Sequence, residues 1–110
     1  MGFSEWREEL KTLIFTRIRV NEPGYFEAVI VATDLPRLTG LLEKFFGAPI
    51  WPTQEQLTPQ IDKLVGDYGG LQPGQSLYFW NEGIETVLAM LWPWSVGKLV
   101  TIKIVKKPSV

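Results

Sequence analysis

Tryptophan is the residue type whose number and placement first suggest chemistry, with five in 110 residues. Trp51, Trp80, Trp92 and Trp94 fall in or beside turn-forming stretches, and Trp92-Pro93-Trp94 brackets a proline that belongs at a strand end or bulge. An indole joins a large apolar body to a single N–H donor, a combination that recurs at interfaces and in ligand clefts. These four rings are the candidate partner- or ligand-binding residues, the Trp-Pro-Trp turn foremost. The plainer role for them is to cap the open ends of a small core.

Carboxylates are the next candidates. Paired acids serve as general acid and base or hold Mg²⁺. Asp34 ends a predicted strand, and Glu82 and Glu85 flank a predicted hairpin tip. Asp62 and Asp67 are five positions apart, which does not place them on one helical face. Helix capping accounts for Asp34 and turn chemistry for Glu82. A carboxylate-dependent or metal-assisted hydrolase would require Asp34, Glu82 or Glu85 to converge in a cleft.

A third constellation is Phe15, Arg17 and Arg19 on one face of a predicted strand. Arginines beside an aromatic on an open sheet can hold single-stranded nucleic acid through phosphate contacts and base stacking. The simpler account is a solvated face whose charges protect an edge strand. Gly66, Gly69, Gly70, Gly74 and Gly83 match no phosphate-loop spacing, and the first three end a helix where an anion site would open one.

The chain has no cysteine and no histidine. That excludes disulfides, thiol nucleophiles and the Ser-His-Asp and Cys-His arrangements. No residue set emerges as catalytic or metal-ligating, and no cofactor is implied. Eleven basic residues against 12 acidic ones give a net charge of −1, without the basic excess of a duplex binder. No apolar run approaches the ~20 residues of a membrane span. Glu5, Glu8 and Glu9 near the start are unlike a signal peptide, so the expected location is the cytoplasm.

The elements that must position these residues can be read from periodicity. Ser4 is placed as the cap of a short helix over about Ser4–Thr12. Leu13–Val20 alternates as a strand, Asn21-Glu22-Pro23-Gly24 suits a type II turn, and Tyr25–Thr33 forms a second strand whose run Ala28–Ala32 is apolar on both faces and hence central. Leu35, Leu38, Leu41, Leu42, Phe45 and Phe46 line an amphipathic helix capped by Thr33 or Asp34 and ended by Gly47. Gly40 inside it suggests a close approach to the sheet. After a connector over Ala48–Thr58, with Ile50 and Trp51 as plugs, Thr58-Pro59 opens another helix lined by Ile61, Leu64, Val65 and Tyr68 and stopped by Gly69-Gly70.

Ser76–Trp80 and Ile84–Leu91 flank the tight turn Asn81-Glu82-Gly83. Ile84, Val87, Leu88 and Leu91 also fit helical spacing, but the preceding turn and the β-rich neighbours favour a strand. In Lys98–Lys106, Val100, Ile102 and Ile104 are expected to face in and Thr101 and Lys103 out, with Lys106–Val110 as a frayed tail.

The order predicts one α+β domain over residues 1–110. Its sheet is mostly antiparallel, of about five strands (a hairpin plus a three-stranded meander), with two helices on one face and a short N-terminal helix. The functional expectation is a small non-enzymatic interaction module, expected to form a homodimer, binding another protein or a small apolar ligand through aromatic surface.

Overall fold

β1 (Arg17–Glu22) and β2 (Tyr25–Val31) are β-rich runs on either side of Pro23-Gly24, and they pair antiparallel across that two-residue tip. β3 (Ser76–Glu82), β4 (Glu85–Pro93) and β5 (Leu99–Pro108) form the meander, so residues 85–91 are strand and Ile84 belongs to the turn before it. β5 inserts between β2 and β4, so the sheet order is β1-β2-β5-β4-β3, antiparallel throughout. α1 (Phe3–Leu10), α2 (Leu35–Phe46) and α3 (Pro59–Gly66) complete the α+β fold. The computed structural model describes residues 2–51, 58–71, 74–82, 84–95 and 97–108. No helix among them is long and apolar enough to cross a membrane.

Period-two alternation divides the sheet's side chains between two cores. On one face Phe26, Ala28 and Ile30 of β2 and Val100, Ile102 and Ile104 of β5 pack with Trp6, Leu10, Leu38 and Leu42. Two helices do share a face, and the pair is α1 with α2. α3 lies on the other face, where Ile61 and Val65 meet Leu77, Leu88, Met90 and Val105. β2 is covered on both sides, with Ala28, Val29 and Ile30 all buried.

Several local expectations are corrected. α1 begins at Phe3 with Gly2 at its N-cap, which leaves Ser4 inside the first turn. β1 starts at Arg17 because the chain keeps turning after α1, and Leu13 is drawn into the core beside Leu10. Gly24 is not left-handed, so the hairpin tip is not the type II turn that Pro-Gly suggests. The carbonyl of Gly24 accepts from Lys106 N at 3.0 Å, fixing the tip against β5. Lys106 to Pro108 belong to β5, held by the pairing of Glu85 with Pro108. Gly83, expected at a left-handed position, lies outside the described residues. Two ends match their signals. Thr58 accepts from Ile61 N at 3.3 Å, and Gly47 ends α2 with φ 79°.

Gly40 does not approach the sheet. A Cβ there would meet nothing within 4 Å. Gly40→Ala is therefore expected to stabilise the fold by about 0.5–1 kcal/mol, through helix propensity and a less flexible unfolded chain. A denaturant midpoint that stays put or falls would contradict the open position.

Candidate functional site

The four candidate tryptophans separate into different settings. Trp80 lies on the α1–α2 face, half-buried, its ring 5.2 Å from that of Phe45. Trp51 bridges to Leu77 beside the edge strand β3 and joins the α3-side core. These two cap the core. Trp92 and Trp94 differ, because they come together with charged and polar groups on the α3 face.

Local sequence explains how the pair is held. Pro93 pairs with Val100, and Trp94 N donates to Leu99 O at 2.9 Å, so the imide nitrogen of Pro93 points toward the β3 side. β3 starts at Ser76, opposite Leu91, so no strand there needs the donor proline lacks. Trp94 Nε1 then donates to Thr101 Oγ1 at 2.8 Å, and the Arg19 guanidinium lies 5.9 Å from the Trp94 ring centroid. Lys103 Nζ sits 3.7 Å from the Trp92 ring centroid and donates to Tyr68 O at 3.0 Å. Both cations lie within cation–π range. Trp92 Nε1 is buried and has no acceptor among the described residues.

A polar flank continues the surface along β2. Tyr25 stacks on Tyr68 with centroids 5.3 Å apart, and its hydroxyl donates to Glu27. Glu27 also accepts from Arg19 at 3.3 Å. Burial alone would push the Glu27 carboxyl up, but the hydrogen bonds from Tyr25 and Arg19, with Lys103 nearby, hold it below its usual range. Burial and the bond to Glu27 push the Tyr25 hydroxyl well up. Burial lowers Lys103, partly countered by Glu27. The surface therefore presents two ring-bound cations beside a carboxylate that remains ionised.

The Phe15, Arg17, Arg19 constellation does not come together. Phe15 precedes β1 and packs against Phe26 at 5.4 Å on the α1–α2 side. Arg17 opposes Val29, and Arg19 reaches Glu27, both on the α3 side. The carboxylates do not converge either. Asp34 follows the end of β2 that pairs with Leu99, whereas Glu85 pairs with Pro108 and binds Lys106 at 3.2 Å. The length of β5 separates them, roughly 30 Å at strand rise. Asp62 and Asp67 are exposed at either end of α3, and the Glu82 side chain lies outside the described residues. No group of acids that could hold a metal ion occurs among the described residues.

Thr101 and Lys103 were expected in solvent. Instead Thr101 is buried beside Trp94 and Lys103 is half-buried beside Trp92, because α3 and the Trp92–Trp94 stretch cover that face. Compared with protein-family models, characterised proteins and solved structures, the chain matches none.

Proposed function

We propose that this protein is an interaction module that holds another protein chain, or a small apolar ligand, on the Trp92–Trp94 surface of its α3-side face. One observation carries the reading. The Trp94 ring is 37% exposed, yet its N–H is tied to Thr101 and its face lies under Arg19. An aromatic side chain that is exposed and already ordered loses little entropy when a partner covers it.

Titration with the apolar dye anilinonaphthalene sulfonate tests the reading while the partner is unidentified. The folded protein is expected to enhance dye fluorescence, and Trp94→Ala to weaken dye affinity by about tenfold, near 1.4 kcal/mol. Far-ultraviolet circular dichroism should stay unchanged, because Trp94 lies outside both cores. Dye binding that ignores Trp94→Ala, or no binding at all, removes the proposal.

A further inference from the structure

β1 is an edge strand, and among the described residues nothing pairs with its outer side. Five of its six residues are exposed, Ile18 to 53%. An open edge is a template for another strand. What decides between a guarded edge and a docking edge is the pattern of faces along it.

A β-bulge sets that pattern. Ile18 opposes Ala28 and Val20 opposes Glu27, so Arg19 is the extra residue. Arg17, Val20 and Glu22 share the α3-side face with their partners Val29, Glu27 and Tyr25, and Arg19 reaches Glu27 on that same side. Ile18 and Asn21 share the opposite face with Ala28 and Phe26. From Arg17 to Glu22 the faces therefore run α3, helix-pair, α3, α3, helix-pair, α3. This order reads the same from either end.

We propose that a second copy of this chain docks antiparallel on β1, about a two-fold axis between Arg19 and Val20, to give one continuous sheet of twice five strands. In this register Arg17 stands opposite Glu22 of the second copy, Ile18 opposite its Asn21, and Arg19 opposite its Val20. Each pair lies on one face. A shift of one residue either way sets Ile18 against Val20 or Glu22, which belong to the other face. Opposite charges meet at both ends of the pairing, while Arg19 is already balanced by its own Glu27. Ile18 of the second copy arrives beside Asn21. Asn21, whose Oδ1 accepts from Arg7 at 2.8 Å, helps line a groove of about 170 Å³ together with Arg7, Lys11, Leu10, Leu13 and Phe26. The bulge then selects one register and rejects the rest.

Sedimentation equilibrium of the full chain at micromolar concentrations tests this. The expected mass is twice the 12.5 kDa of one chain. Arg17→Glu and Glu22→Arg should each weaken the dimer by about tenfold or more, because each places like charges opposite one another. The charge-swapped double variant R17E/E22R should restore it, which also shows that the single variants did not fail by misfolding. A monomeric wild type overturns the proposal. So does a dimer indifferent to both single variants, or one that the double variant fails to rescue. Arg17 and Glu22 lie at the two ends of β1, whereas Trp92 and Trp94 lie at the end of β4, so loss of the dimer and loss of dye binding are read from different residues.

Discussion

Trp6→Ala is expected to bring the protein close to unfolding at ordinary temperature. Trp6 is fully buried. Its ring stacks on Phe45 at 5.2 Å and meets Phe46 edge-on at 5.5 Å, and Phe3 lies 5.9 Å away. Its Nε1 donates to the carbonyl of Leu41 at 2.7 Å, which joins α1 to α2 across the chain. Truncation removes the ring that the two helices share and leaves a cavity that their backbones cannot easily close. Losses of about 3–5 kcal/mol are usual for such a change, against a total of about 5–15 kcal/mol for a typical domain. Chemical denaturation should show a midpoint far below wild type. Trp6→Phe, which keeps an aromatic body but not the donor, should fall between. A midpoint for Trp6→Ala within about 1 kcal/mol of wild type would mean that α1 contributes little to the core.

Gly69→Ala should be the second most damaging single change, although it adds one methyl group. Gly69 has φ +107°, and a Cβ there would sit 2.4 Å from a ring carbon of Trp92. The cost combines backbone strain, about 1–3 kcal/mol, with overpacking against a ring that Lys103 already holds from its face, again about 1–3 kcal/mol. Gly70→Ala separates the two contributions. Gly70 is also left-handed, at φ +74°, but a Cβ there meets nothing within 4 Å. It should lose only the conformational part, about 1–2 kcal/mol. Thermal melts of both variants, with Gly69→Ala repeated in a Trp92→Leu background where the clash is relieved, give the comparison. Equal losses at positions 69 and 70 would show that Trp92 can move aside.

Most of the fold was legible because its signals are local. The turn at Pro23-Gly24, the apolar spacing from Leu35 to Phe46, the Thr58-Pro59 start and the alternation in Val100, Ile102 and Ile104 each report on a few neighbouring residues. The side on which each helix settles is not local. α3 and α2 carry similar apolar stripes, yet their buried residues join cores on opposite faces of the sheet. The same gap hid half of the candidate site. Trp92 and Trp94 stood out by type, but Thr101 and Lys103 occupy the polar positions of an alternating strand and read as solvent-facing. Only a second layer over that face turns them into partners for the indoles. Strict alternation puts Phe15, Arg17 and Arg19 on one face. Phe15 lies before β1 begins, turned toward Phe26, while Arg17 and Arg19 keep the α3-side face and the bulge shifts Val20 and the residues after it by one position.

The place of β5 between β2 and β4 has a consequence for how the molecule forms. The β1–β2 hairpin closes a short loop, and each turn of the β3–β4–β5 meander does too. The seam that unites them, from Tyr25–Val105 to Val31–Leu99, joins segments with α2, α3, β3 and β4 strung between them. Closing so long a span carries an entropic cost before any contact rewards it. Acquisition of the native state should thus wait on that one seam. Until β5 arrives, the bare flank of β2, with Ala28, Val29 and Ile30 side by side, is the part of the nascent chain most in need of protection from aggregation.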